Sequence, residues 1–178
     1  SSPNAAAASL WRRLPTEPYQ GKQDDIFFVS REIGWYGNGA GKLYRTADGG
    51  ESWTKIWDQP GTFIRALGFM DAQNGFLGNV GTDYYPNVSD TRPLYRTRDG
   101  GATWAPVEAP GIDSGRGICG IDVIAQHRIF QGELRTTHVI YAAGRVGGPA
   151  AMLRSFDGGD TWAVLDMRAH AGMILDVK

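Results

Sequence analysis

Thr46-Ala47-Asp48-Gly49-Gly50-Glu51-Ser52-Trp53 is written twice more in this chain. It returns as Thr97-Arg98-Asp99-Gly100-Gly101-Ala102-Thr103-Trp104 and as Ser155-Phe156-Asp157-Gly158-Gly159-Asp160-Thr161-Trp162. Each copy has a hydroxyl residue first, Asp third, two glycines, then Ser or Thr seventh and Trp eighth. Each follows a short apolar stretch ending in Arg: Leu43-Tyr44-Arg45, Leu94-Tyr95-Arg96 and Met152-Leu153-Arg154. A long phrase recurring at a spacing of about fifty residues marks a repeat array, in which each unit buries its apolar face against its neighbours.

The chemistry of the phrase predicts a turn. Glycine enters positive φ without steric cost, and an Asp side chain accepts hydrogen bonds from nearby backbone N–H groups. Strand-like runs flank the phrase, over 43–46 and 53–57 in the first copy, so each copy reads as a hairpin connection organised by Asp48, Asp99 or Asp157. Trp53, Trp104 and Trp162 supply apolar bodies that fold back over the turn.

In all three copies the phrase resembles the Asp-box, or BNR repeat, which marks the turn between third and fourth strands of propeller blades. Sialidases, xyloglucanases, sortilin-type receptors and photosystem II assembly-factor-like propellers carry it. The resemblance implies an all-β propeller of four-stranded antiparallel blades, with Asp48, Trp53, Asp99, Trp104, Asp157 and Trp162 in structural roles. Because enzymes and non-enzymes share the box, it says little about activity.

Composition narrows the function. The 178 residues allow one domain with a real core, and 18 basic against 19 acidic residues leave a net charge of −1. That balance offers no electrostatic case for nucleic acid, and the apolar runs are too short for membrane insertion. The 25 glycines suit short strands and tight turns, and the single cysteine, Cys119, excludes an intrachain disulfide. Cys119 sits in an apolar run and reads as a buried strand residue rather than a catalytic thiol. His127, His138 and His170 lack ligand spacing, so neither a metal nor a cofactor is expected. The opening SSPNAAAAS lacks the basic and apolar regions of an intact signal peptide. Export to a periplasmic or extracellular space is what the family resemblance favours.

Taken in order, residues 1–25 read as a leader with a possible ring-closing strand at 10–14. Blades follow over 26–60, 61–110 and 111–170, and 171–178 reads as the first strand of a fourth blade. Expected strands run 26–29, 34–38, 43–46 and 53–57; then 64–69, 75–80, 94–97 and 103–107; then 118–124, 138–143, 152–155 and 162–167. The second blade inserts a loop at 81–93, and the third an insertion at 125–137. Propellers need about four to eight blades to close. The expectation is therefore a segment of a larger ring, or a ring closed by a second chain.

Blade grammar is closest to the photosystem II stability and assembly-factor-like propellers, through the phrase Leu-Tyr-Arg-Thr before Asp-Gly-Gly; the photosystem role itself is not carried over. The resemblance points to a non-catalytic scaffold with a protein or peptide partner. Arg45, Arg96 and Arg154 recur at one position per blade and are candidates for a basic arc, set against a structural role across the seams between blades. Tyr84 and Tyr85 in the long loop, with Arg65 and Arg116, are the other partner-binding candidates. The rival reading is a sialidase-like or xyloglucanase-like glycoside hydrolase with catalytic residues in missing blades. No catalytic residue is assigned: Arg65 follows the first box whereas the first sialidase arginine precedes it, and Asp122 and Asp176 occupy equivalent positions, which favours structure over chemistry.

Overall fold

The computed structural model describes residues 12–14, 16–82, 85–112, 117–144 and 149–178. Short aromatic and β-branched runs punctuated by glycine turns pair as successive hairpins. The first sheet contains β1 (Gln23–Phe28), β2 (Gly34–Asn38), β3 (Lys42–Thr46) and β4 (Thr54–Asp58). The second contains β5 (Ile64–Phe69), β6 (Gly75–Asn79), β7 (Leu94–Thr97) and β8 (Ala105–Pro106). The third contains β9 (Ile118–Phe130), β10 (Glu133–Gly144), β11 (Ala151–Ser155) and β12 (Ala163–Asp166). Each sheet is a four-stranded antiparallel meander in chain order. First strands lie side by side, β1 against β5 and β5 against β9, so the sheets fan outward from a common inner edge. This is propeller architecture, with three blades.

The core lies in the seams. Between the first and second blades it contains Trp35, Leu43, Leu67, Phe69 and Leu77, with Trp35 and Phe69 stacked at 3.6 Å and 4°. Between the second and third, Phe76 and Leu94 meet Ile121, Ile140 and Leu153. Full burial of each such side chain contributes about 1.5–3 kcal/mol, and neither blade can claim it alone. A second attachment runs along the inner edge, where the Leu67 N–H of β5 donates to the Asp25 carboxylate of β1 at 2.7 Å.

Three regions differ from the strand pattern expected of the sequence. Residues 125–137 are not an irregular insertion: β9 and β10 stay paired through Phe130 and Glu133, turning at Gln131 and Gly132 with φ of 51° and 82°. A mostly polar sequence lets the ladder continue past the blade without a core, and its apolar Ile129, Phe130 and Leu134 are exposed. Residues 171–178 form no strand; they run beside β9, with Asp176 against Gly120. Of the proposed closing strand, Leu10 and Trp11 lie outside the described residues, and 12–14 form no strand.

Candidate functional site

The three turns are built alike. Thr46 Oγ1 donates to Asp48 Oδ1 at 2.7 Å and accepts the Gly50 N–H at 2.9 Å. Asp48 in turn accepts the Ser52 N–H at 2.9 Å and the Ser52 hydroxyl at 2.5 Å. Asp99 is held by Thr97 and Thr103, and Asp157 by Ser155 and Thr161, through the same atoms. Hydrogen bonds from the seventh-position hydroxyl, then from that residue's N–H, favour the charged form and lower all three carboxyls to about 2. The glycine pairs require positive φ, 72° and 92° in the first turn, 73° and 94° in the second, 70° and 87° in the third. The first glycine N–H of each pair also donates to a backbone carbonyl of its own blade, at Glu32, Gln73 and His138. With both carboxylate oxygens engaged locally, these aspartates are turn anchors.

The arginines preceding the turns sit at the flanks between blades. Pairing of Trp35 with Arg45, Phe76 with Arg96 and Tyr141 with Arg154 puts each on the face that looks toward the following blade. Arg96 Nη1 donates to the Gly159 carbonyl and to Asp160 Oδ1, both at 2.8 Å, while its guanidinium lies 5.6 Å from the Phe76 ring. Arg45 takes the matching place over Trp35 at 5.7 Å, beside Gly100 of the second turn. There the acid is missing, because the sixth turn residue is Ala102 where the third turn has Asp160. Arg154 lies 4.4 Å from the Phe156 ring and meets no carboxylate or carbonyl among the described residues. The partner of Arg96 is thus the sixth residue of the next turn, a position that the three-fold phrase does not hold constant. The signal was present: position six is Glu, Ala and Asp in the three copies.

Toward the axis, side chains from three blades converge. Asp24, Asp25, Arg65, Cys119 and Asp122 line an open cavity of about 450 Å³ together with residues 175–178. Arg65 Nη1 stands 3.5 Å from Asp24 Oδ1, and the Asp24 side chain is only 7% exposed. Burial pushes the Asp24 carboxyl up despite Arg65, and pushes Asp25 up against hydrogen bonds from the Leu67 and Ile26 N–H groups. Asp24 and Asp25 precede the apolar run of their strand and carry no motif, so nothing in the local sequence singled them out.

In the long loop of the second blade, Tyr85 stacks on Phe63 at 4.5 Å over a small cluster with Val80 and Val88. Asn79 ties the loop down: its amide donates to the carbonyls of Asp90 and Arg92. Tyr84, Arg116, Asp113 and Arg145 lie outside the described residues. Arg92 pairs with Glu108 and Arg168 with Asp166 at the surface, and the His170 N–H closes a turn on Met167. Among the described residues no group of three or more His, Cys, Asp or Glu side chains could hold a metal ion.

Three blades around a shared inner edge place the chain in the propeller class of all-β folds. A structure of YCF48 bound to D1 peptide is similar over 86% of this chain and 41% of that one, with a TM-score of 0.55 and 21% identity. The GH74 xyloglucanase from Xanthomonas campestris is similar over 75% and 18% of the two chains, with a TM-score of 0.46 and 20% identity. YCF48 from Cyanidioschyzon merolae is similar over 91% and 65%, with a TM-score of 0.39 and 15% identity. The chain therefore spans less than half of the YCF48 chain it superposes on best of these three. No protein-family model matches it, and no curated protein does.

Proposed function

We propose that the chain is a non-catalytic propeller scaffold that binds a protein or peptide segment across the mouth of its axial cavity. The observation that carries this reading is that a stretch of polypeptide already lies there. Residues 175–178 share the cavity wall with β1, β5 and β9, and Asp176 Cα stands 2.8 Å from where a Cβ on Gly120 would be. Absence of a side chain at Gly120 is what lets a backbone approach the inner strand so closely. The cavity also offers Asp24, Asp25 and Asp122 against Arg65, which suits a segment carrying a basic side chain. Support of a coarser kind comes from the shared fold of a propeller whose structure contains a bound peptide. Export belongs to the same proposal, on the strength of the resemblance that the three repeated phrases carry.

A peptide array screened with the purified chain, followed by calorimetry on the best binders, tests this. Peptides with Lys or Arg are expected to be enriched, and Asp122→Lys is expected to weaken them about tenfold with the fold intact. Equal binding by the Asp122→Lys chain, or hydrolysis of a polysaccharide by the wild-type chain, would overturn the reading.

A further inference from the structure

The two seams between blades are closed by the same repeated parts, and one of them leaves an arginine without a counter-ion. Strand pairing puts Arg45 opposite Trp35 and Arg96 opposite Phe76, so the two arginines hold equivalent positions on successive blades. Arg96 reaches across its seam to the Gly159 carbonyl and the Asp160 carboxylate. At the first seam both partners are replaced. The tie to the turn is made by the Trp35 indole, whose N–H donates to the Gly100 carbonyl at 2.8 Å, a bond that Phe76 has no donor to make. The carboxylate is lost because Ala102 stands where the third turn has Asp160.

Arg45 is kept all the same. Its guanidinium lies over the Trp35 ring, its Nε is buried without a hydrogen bond, and among the described residues it meets no carboxylate. A guanidinium cannot shed its proton in a protein, so half-buried Arg45 carries a charge that the seam leaves uncompensated. Space for a counter-ion is present. Arg45, Gly100 and Ala102 line an open cleft of about 280 Å³, and a second cleft of about 330 Å³ shares Arg45 and Ile56 with it. Asp99 borders the first cleft, but its oxygens are engaged by Thr97 and Thr103. Asp157 is engaged in the same way next to Asp160, so an anchored turn aspartate and a seam carboxylate coexist in the third turn.

We propose that Arg45 is an anion-binding site in the first seam, taking a carboxylate borne by an Asp or Glu side chain of a partner segment laid along the two clefts. The carboxylate sits beside Ala102, in the place that Asp160 fills for Arg96, and accepts hydrogen bonds from the planar guanidinium. The neighbouring seam already holds that chemistry on the equivalent arginine. None of the residues lining the two clefts lines the axial cavity. Arg45 is therefore a second contact, with a charge preference opposite to that of the cavity, and it stands independently of the reading given to the cavity.

The buried Arg45 Nε–H is the reporter: its NMR signal, assigned by its loss in Arg45→Met, is followed at low ionic strength. Acetyl-Gly-Asp-Gly amide is expected to shift it saturably, with a Kd on the order of millimolar. That peptide is expected to bind about fivefold or more tighter than its Asn counterpart, acetate or inorganic phosphate. Ala102→Asp supplies the carboxylate within the chain; it is expected to shift the same signal without ligand and to weaken the Asp peptide about tenfold or more. Ala102→Asn, which adds no charge, is expected to bind as wild type does. The Ala102 N–H is a second reporter, expected to shift with the Asp peptide in wild type and not in Arg45→Met. Acetate or phosphate binding as tightly as the Asp peptide overturns the carboxylate-bearing segment. No saturable shift in wild type, or an Ala102→Asp chain that binds the peptide as wild type does, overturns the site.

Discussion

Replacing Arg96 with Met tests whether the arginines act within the seams. Met keeps an apolar stem against Phe76 and removes the guanidinium. Two hydrogen bonds are lost, to the Gly159 carbonyl and to Asp160, each 2.8 Å long. A hydrogen bond from a charged donor contributes about 1.5–3 kcal/mol, and the low end applies because the Trp162 indole still serves the Gly159 carbonyl. Asp160 is 63% exposed, so its ion pair adds only about 0.5 kcal/mol. Relief of the buried, unbonded Arg96 Nε offsets part of this, at roughly 1 kcal/mol. The net loss is about 1–2 kcal/mol, or about 2–8 °C in Tm for a chain of this length. Arg45→Met removes no such bond and is expected to fall within about 0.5 kcal/mol of wild type. Thermal and urea unfolding followed by tryptophan fluorescence measure both variants. In a double-mutant cycle, Arg96→Met and Asp160→Ala are expected to couple by about 0.5 kcal/mol. Equal losses at Arg45 and Arg96, or no coupling to Asp160, would refute the seam assignment.

Acid unfolding offers a second check. Hydrogen bonds lower Asp48, Asp99 and Asp157 to about 2 from the ordinary 3.8, so the unfolded chain binds more protons between those limits. Their stabilisation is complete above about pH 4 and is lost as pH falls toward 2; Asp99→Asn should flatten that limb in a urea series run at stepped pH. Gly159→Val should cost about 3 kcal/mol or more, combining a strained φ with a steric clash, since a Cβ there would sit 2.2 Å from Phe76 Cζ. Gly132→Ala has similar φ but open space around it, so calorimetry should show only about 1–2 kcal/mol. Phe63→Ala removes the platform under Tyr85 and should cost about 3 kcal/mol. Limited proteolysis should then cut the chain within 81–93, and an unchanged digest would count against that packing.

The turns, the strands beside them and the blade rhythm were legible in the sequence because their physics is local. Asp-Gly-Gly between hydroxyl residues needs only its own backbone to fold, and Gly34–Asn38, Ile64–Phe69 and Leu94–Thr97 form as period and flanking turns predict. The hairpin at 125–137 was harder to read, because a ribbon outside the core buries neither face and so carries no period-two alternation to mark its strands. The axial carboxylates were invisible for another reason. Asp24, Arg65 and Asp122 come from three blades and become neighbours only when the inner strands line up.

The arginine before each turn shows the division most clearly. Sequence alone determined that Arg45, Arg96 and Arg154 occupy one repeated position on one face of a strand. Whether such a cation faces solvent or a neighbour depends on the rotation of one blade against the next, and on which residue the next turn carries at its sixth place. Tertiary structure decided that Arg96 reaches Asp160 while Arg45 faces Ala102. Residues more than sixty positions apart meet there through packing, which no local pattern encodes.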